Sequence, residues 1–185
     1  MEAHSEQMQE QVRKERLRAM TDLLTELPNR EAWQERLSFE YNRWQRYSHP
    51  LTVGVLDIDL FKRINDSYGH KAGDRVLQLV AREFRERLRT TDFVARFGGE
   101  EFVVLFPETE PADASVVVDK LREHVRKLPF HFRGEPVSVT FSAGLAGFIA
   151  GDTEESVFDR ADRALYQAKD AGRDQVIIGD STAGQ

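Results

Sequence analysis

Residues 93–106 read FVARFGGEEFVVLF, two apolar runs on either side of the pair Gly98-Gly99. Aromatic and β-branched residues that stop at a glycine pair and then resume are typical of two strands joined by a tight hairpin. We therefore expect a strand over 93–97, a turn at Gly98-Gly99 and a return strand over 101–106. The rest of the chain can be ordered around this hairpin.

The segments on both sides of the hairpin alternate between strand and helix patterns. The expected elements are a helix from about 30 to 47 that ends at His49-Pro50, a buried strand over 51–59, a helix over 72–88, a helix over 113–128, a long strand over 137–148, a helix over 154–171 closed by Gly172, and a short strand over 174–178. Strand, helix, strand, strand, helix, strand is the split βαβ order. It predicts an α+β, ferredoxin-like, palm-type antiparallel sheet with helices on one face.

This topology brings distant residues together. In the split βαβ arrangement the return strand of the hairpin lies between the first and second strands and is antiparallel to both. Asp57, at the end of the first strand, is therefore expected beside Gly98-Gly99-Glu100-Glu101.

Composition limits the classes of partner. The chain has 185 residues, 40% of them hydrophobic, no cysteine and a net charge of −6. This is the composition of one soluble domain with an extension, and its overall charge does not favour nucleic acid or an acidic membrane surface. No signal peptide or membrane span is recognisable near the amino terminus, so we expect a cytoplasmic protein without direct membrane contact.

Residues 1–20 are charged helix formers with a sparse apolar stripe. The stripe consists of Met8, Val12, Leu17 and Met20. Such a helix cannot bury itself alone, so it is either a frayed end or a coiled-coil linker from an upstream module. The expected division is a linker helix over 1–20, a globular domain over 21–178 and a tail over 179–185.

Two acidic residues form the candidate metal site. Asp57 and Glu100 offer hard oxygen ligands of the kind that Mg²⁺ takes, with positions left for water and phosphate oxygens. An acidic cluster at a glycine turn repels itself without a cation. The paired glycines also allow a phosphate or a base to approach the backbone closely.

Five motifs in order resemble the GGDEF family, in the variant spelled GGEEF. They are DLLTELPNR over 22–30, DIDLFKRIND over 57–66, GHKAGD over 69–74, RFGGEEF over 96–102 and ADRALYQAKDAGR over 161–173. The resemblance covers about residues 21–178. Glu26 departs from the pattern, because the family usually has glycine there.

The resemblance implies a diguanylate cyclase that joins two GTP molecules into cyclic di-GMP on Mg²⁺ or Mn²⁺. The implied metal ligands are Asp57, the carbonyl of Ile58 and Glu100. Glu100 is also the implied acceptor of the 3′-hydroxyl proton, and Glu101 is implied to be a further catalytic residue that helps to bind a second cation. Lys62 would stabilise charge in the transition state.

Other motif positions imply the substrate contacts. The amides of Leu60, Phe61 and Lys62 stand at a strand-to-helix turn, which favours anions, and Gly98 and Gly99 leave room for substrate. Lys169 and Arg173, expected one helical turn apart, would hold the terminal phosphates. Asn65 and Asp74 are the implied guanine readers, which favours GTP over ATP. His70 is a further candidate beside them, with a purely structural histidine as the alternative.

Arg89 and Asp92 match the family's product-binding inhibitory motif. They precede the second strand, which places them at the end of it remote from the hairpin. A second arginine usually contributes from the next helix, and Lys120 stands at about that position.

Catalysis on two GTP molecules implies a homodimer, and an upstream sensor domain is a further expected partner. Three alternatives stay open. The first is a catalytically silent receptor for cyclic di-GMP, against which the retained acids and glycines count. The others are a palm-type cyclase acting on ATP and an interaction domain without catalysis.

Overall fold

A five-stranded sheet forms the centre of the protein, whose computed structural model describes residues 2–180. The strands of this sheet are β1 (Leu51–Ile58), β2 (Phe93–Gly98), β3 (Glu101–Pro107), β6 (Phe141–Gly147) and β7 (Val176–Ile178), while β4 (Phe130–Phe132) and β5 (Glu135–Val137) form a separate two-stranded sheet. The helices are α1 (Glu2–Ala19), α2 (Arg30–Tyr47), α3 (Phe61–Tyr68), α4 (His70–Arg87), α5 (Pro111–Arg126) and α6 (Glu154–Asp170).

The order of strands across the sheet is β2-β3-β1-β6-β7. β1 is central and antiparallel to both β3 and β6, and β3 lies between β1 and β2. The predicted ferredoxin-like α+β arrangement is confirmed. β7 extends it at the edge, where it pairs with β6 in parallel.

Helices cover both faces of the sheet, so the expectation of helices on one face only is wrong. One apolar cluster packs α4 and α5 against residues such as Leu56, Phe102 and Phe141. The other packs α2 and α6 against the opposite face, which includes Val55 and Val103. The physical reason is visible in β1, where all eight residues are buried. A strand buried on both sides needs a cover on both sides.

The predicted helix over 72–88 starts earlier and is preceded by a helix that the pattern did not resolve. α3 ends at Tyr68, and α4 begins at His70 after Gly69, whose φ of 92° breaks the helical path. Phe61, Ile64 and Tyr68 have helical spacing, but a run of eight residues is too short for periodicity alone to indicate a separate helix.

The predicted long strand over 137–148 is wrong in its first part. Residues 130–137 instead form the β4-β5 hairpin, with φ values of 53° at Arg133 and 78° at Gly134 in its turn. Phe132 packs against Tyr68 of α3, with ring centroids 5.5 Å apart. The alternating apolar residues that follow concealed the break before β6, which starts at Phe141.

α1 confirms the predicted helix near the amino terminus, and no residue of it is buried. Met8, Val12 and Leu17 are more than half exposed. The coiled-coil interpretation and the division at residue 20 stay predictions, and most of the expected tail, 181–185, lies outside the described residues. Over residues 2–180, none of the helices is both long enough and apolar enough to cross a membrane.

Candidate active site

The end of β1 lies directly beside the glycine hairpin. Asp57 pairs across the sheet with Glu101, and the amide of Ile58 donates a 3.2 Å hydrogen bond to the carbonyl of Glu100. Gly98-Gly99 is exposed, and a Cβ added at either position would meet nothing within 4 Å. The hairpin therefore leaves open space next to the acidic residues.

The acidic residues at this corner repel one another. Burial raises the pKa of Asp57, the ion pair with Lys169 opposes the rise, and the nearby charge of Glu100 adds to it. Burial, followed by the charges of Asp162 and Asp57, raises the pKa of Glu101 to about 7. Such a cluster is stabilised by any cation that enters it.

The donor set fits a magnesium ion shared with substrate. No group of three or more His, Cys, Asp or Glu side chains suited to a metal is present over residues 2–180. Asp57, Glu100 and the Ile58 carbonyl are nevertheless hard oxygen donors, and Mg²⁺ commonly takes one or two carboxylates and completes its shell with water and phosphate oxygens. The residues present fit a cation that binds together with a nucleotide.

Lys169 reaches from α6 to the end of β1. Its ammonium forms an ion pair with the Asp57 carboxylate. The expectation that Arg173 stands one helical turn further along is wrong, because α6 ends at Asp170 and Arg173 has a φ of 64° in the turn beyond it. Arg173 is exposed in that turn. Only Lys169 is therefore positioned by the helix itself.

Leu60 to Lys62 form the turn between β1 and α3. Leu60 is the residue that caps α3, with a φ of 55° and no side-chain hydrogen bond to the helix. The first amides of a helix have no partner within the helix, so this turn presents N–H groups that attract an anion. Lys62 is exposed on the first turn of α3.

The two predicted guanine readers lie on neighbouring helices. Asn65 of α3 is half-buried, and its Oδ1 is buried without a hydrogen-bond partner among the described residues. Asp74 and His70 are exposed on the first turns of α4. Gly73 faces Asn65 so closely that a Cβ there would lie 1.9 Å from Oδ1. The amide group therefore occupies the space left by the missing side chain.

Asp59 was not among the predicted site residues, although it stands in the same DID motif as Asp57. Its carboxylate is buried and accepts hydrogen bonds from the hydroxyls of Thr140 and Ser142, both at 2.7 Å, and from the amide of Asp174 at 3.0 Å. Asp59 thus ties β1 to β6 and to the turn after α6. The only sequence signal was a second acid in a run of buried residues.

Arg96 is a second residue that the sequence did not single out. Its guanidinium donates to the carbonyl of Gly99 at 2.8 and 3.0 Å and to the carboxylate of Asp22 at 3.2 Å. The amide of Arg96 also donates to the carbonyl of Pro28 at 2.9 Å. The hairpin is therefore fastened to the segment that follows α1. The basic residue just before the glycine pair was the available signal.

Arg89 and Asp92 lie before β2, at the end of it away from the hairpin, as predicted. Arg89 donates to Asp92 through its amide at 3.1 Å and its guanidinium at 3.2 Å, and to the hydroxyl of Thr109 at 2.9 Å. The Asp92 side chain is fully covered in this pair. Lys120 is exposed on α5.

A split βαβ sheet whose central strand ends in an acidic residue beside a hairpin is a palm-type domain. The family model described as "Diguanylate cyclase, GGDEF domain" matches residues 19–175, and the chain belongs to this GGDEF family.

Two curated relatives show how much of a longer protein the chain resembles. It is 51% identical over 178 residues to "Diguanylate cyclase DgcP" of Pseudomonas aeruginosa, covering 96% of this chain and 26% of that protein. It is 41% identical over 163 residues to "Response regulator PleD" of Caulobacter vibrioides, covering 86% of this chain and 36% of that protein. The chain thus spans about a quarter to a third of these relatives.

Solved structures agree with the fold. The coiled coil and GGDEF domain of DgcB from Caulobacter crescentus, in complex with c-di-GMP, superimposes with a TM-score of 0.91 at 32% identity, covering 96% of this chain and 94% of that one. Diguanylate cyclase SiaD from Pseudomonas aeruginosa, in complex with its activator SiaC, gives 0.86 at 38% identity, covering 96% and 68%.

Proposed function

We propose that this domain is a diguanylate cyclase that condenses two GTP molecules into cyclic di-GMP with release of pyrophosphate. The observation that carries the proposal is the placement of Asp57 and Glu100 beside the open Gly98-Gly99 turn. The names of DgcP and SiaD support it, since both similar proteins are diguanylate cyclases.

Asp57, Glu100 and the carbonyl of Ile58 would hold Mg²⁺ or Mn²⁺. When bound, the cation neutralises charge on the α-phosphate and makes the attacking hydroxyl more acidic. Glu100 accepts the proton of the 3′-hydroxyl of one GTP. The 3′-oxygen then bonds to the α-phosphorus of the other GTP, and pyrophosphate leaves. Glu101 lies opposite Asp57 and would help to bind a second cation.

Cationic groups and free amides bind the triphosphate. The amides of Leu60, Phe61 and Lys62 contact phosphate oxygens at the start of α3, and the Lys62 ammonium stabilises the charge that develops in the transition state. Lys169 and Arg173 bind the terminal phosphates. In this role Lys169 exchanges its ion pair with Asp57 for one with the substrate.

Asn65 and Asp74 read the guanine base. The Asp74 carboxylate accepts from the N1–H and the 2-amino group, a pattern that adenine does not offer. The Oδ1 of Asn65 is buried and lacks a partner among the described residues, so a rotation of the side chain would let it accept from a base donor. His70, exposed beside them, lines the same site.

Turnover requires two copies of the domain. Each GTP supplies a 3′-hydroxyl to the other, and each chain has one Gly98-Gly99 hairpin, so two of these hairpins must face each other across a two-fold axis. We place the domain in the cytoplasm, where GTP is supplied, with α1 as the connection to an upstream sensor domain and with no nucleic-acid or direct membrane partner.

Cyclic di-GMP would inhibit the enzyme at Arg89 and Asp92. The Arg89 side chain is more than half exposed and would contact the product directly, whereas the covered Asp92 carboxylate would have to be uncovered to accept from guanine. The site lies at the far end of β2 from the hairpin, so this inhibition would be allosteric. Lys120 is the candidate for the second contact.

The direct test is incubation with GTP and Mg²⁺, followed by chromatography for cyclic di-GMP. Glu100→Gln keeps the shape of the side chain but removes a charged ligand, so turnover should fall at least about a hundredfold, or roughly 3 kcal/mol. Glu135→Gln, on the exposed β4-β5 hairpin, is the matched control and should keep wild-type turnover. Binding of cyclic di-GMP without any turnover by the wild type would instead favour the receptor function.

The inhibitory site has its own test. Arg89→Ala should leave the initial rate intact and weaken product inhibition, because a forked donor is lost far from the catalytic residues. Progress curves with added cyclic di-GMP compare the two proteins. Equal inhibition of both would show that residues 89–92 are only a surface turn.

A further inference from the structure

The turn that carries Arg173 has an unusual backbone. Gly172, Arg173 and Asp174 have φ values of 119°, 64° and 49° in succession. Residues with a Cβ adopt such values rarely, and two in a row are maintained only when their surroundings hold them. The position of the Arg173 side chain therefore depends on whatever holds this turn.

One side of the turn is held by the sheet. The amide of Asp174 donates to the carboxylate of Asp59 at 3.0 Å and to the hydroxyl of Ser142 at 3.1 Å. Asp59 is itself fixed by hydroxyl donors from β6. These contacts anchor the backbone, and they are insensitive to the side chain at position 174.

The other side is held by α5. Arg122 donates from three nitrogens to the carboxylates of Asp119, Glu123 and Asp174, at 2.9, 2.9 and 2.8 Å. Only 13% of its side chain is exposed. With its guanidinium occupied by three carboxylates, Arg122 is not available to a phosphate. Its contact with the site runs through Asp174.

We propose that Arg122 is a positioning residue for triphosphate binding, acting through Asp174 to hold the turn that presents Arg173. This rests on the proposed function, in which Arg173 binds the terminal phosphates. The ion pair and the hydrogen bonds to Asp59 hold Asp174 from two elements at once, so the strained turn keeps one conformation. Without the ion pair the turn samples others, and Arg173 meets the phosphates less often.

The test compares two nucleotides that differ in their terminal phosphates. The probes are GTP with a methylene group between the α- and β-phosphates, which cannot be condensed, and GMP. Binding to the whole chain is measured by calorimetry with Mg²⁺. Arg122→Met keeps the length of the buried stem and removes the donors. It should weaken the triphosphate analogue about tenfold and leave GMP within twofold, because GMP lacks the phosphates that Arg173 contacts.

Two further variants test whether Arg122 acts through Arg173. Arg126→Met, one turn along α5 and exposed in an ion pair with Glu123, is the matched control and should bind both nucleotides as the wild type does. Arg122→Met combined with Arg173→Gln should bind the analogue no more weakly than Arg173→Gln alone, because Arg122 acts only through Arg173. In turnover, KM for GTP should rise while kcat stays within about twofold.

Several outcomes would overturn the proposal. Equal weakening of the analogue and of GMP would show that Arg122 supports the whole domain, and an unchanged affinity for the analogue would show that the turn does not need it. Wild-type protein that binds neither nucleotide would overturn the proposed function itself. If Arg122→Met does not fold, Asp174→Asn removes the same ion pair but keeps the amide that donates to Asp59, and the same selective loss is expected.

Discussion

Replacing Gly73 by alanine separates substrate recognition from stability. A Cβ at this position of α4 would lie 1.9 Å from Oδ1 and 2.9 Å from Cγ of Asn65, and 3.0 Å from Cζ of Phe61. Ordinary contact distances between such atoms are roughly 3.5 Å, so Oδ1 has to move by about 1.5 Å. Asn65 can do this by rotating its side chain, and the backbone of α3 need not shift.

Stability and affinity should therefore change differently. Alanine is better than glycine inside a helix by about 1 kcal/mol, which offsets the cost of displacing Asn65, so the melting temperature should stay level or rise. The proposed contact between Asn65 and guanine would be lost, and a hydrogen bond of this kind accounts for about 1–3 kcal/mol. KM for GTP should rise roughly tenfold to a hundredfold.

The assay measures KM for GTP and the melting temperature for Gly73→Ala, Asn65→Ala and the double variant. The double variant should resemble Asn65→Ala, because the added methyl group no longer displaces an amide. Arg82→Ala, on an exposed part of α4, serves as the control and should keep the wild-type KM. A wild-type KM for Gly73→Ala would refute the reasoning, as would a double variant whose losses simply add.

Three other predictions concern stability. Glu26 has a φ of 64°, so Glu26→Gly relieves about 1–2 kcal/mol of backbone strain. The added conformational entropy of glycine in the unfolded chain costs about 0.5–1 kcal/mol, so the melting temperature should rise by a few degrees rather than fall. Gly144→Ala places a Cβ 2.1 Å from the carbonyl oxygen of Ala161, a backbone atom that cannot rotate away; urea unfolding should show a loss of about 3 kcal/mol, and wild-type stability would contradict this packing. Burial favours a higher pKa for Asp22, but hydrogen bonds from Thr25 and the charge of Arg96 outweigh it and hold the pKa below its ordinary 3.8. Because the pKa is lower in the folded state, the ionised carboxylate stabilises the protein above pH 3.8, and this stabilisation is lost as the pH falls through the pKa of the folded state. Asp22→Asn should therefore flatten the acid limb of a plot of unfolding free energy against pH. An acid limb as steep as that of the wild type would count against the ion pair.

The local part of the fold could be predicted from the sequence. The hairpin over 93–106 is determined by residues that are adjacent in the sequence, and split βαβ topology then places Asp57 next to it. The signals fail where a contact joins distant segments. The pairing of Asp59 with Asp174 spans 115 positions, and no local pattern encodes it.

Other differences have equally physical causes. Lys169 and Arg173 have helical spacing, yet the helix stops at Asp170 and the backbone turns into the left-handed region. The alternation of apolar residues from position 137 suits one long strand, but Val137 pairs with Phe130 in the hairpin turned by Arg133-Gly134, and β6 starts only at Phe141. The spacing of Arg89 and Asp92 does not reveal that the Asp92 side chain is covered.

The central position of β1 has a consequence for biosynthesis. Its partners are β3 and β6, and the contacts that complete its acidic end come from Lys169 and Asp174, more than a hundred positions later in the chain. Ribosomes release the amino-terminal half first, and long-range pairing of this kind has to wait for the remainder. A nascent chain that ends before α6 contains β1 and the glycine hairpin, but it lacks Lys169, which pairs with Asp57, and Asp174, which donates to Asp59. The acidic end of β1 is therefore completed only after the last helix and the turn beyond it have been synthesised.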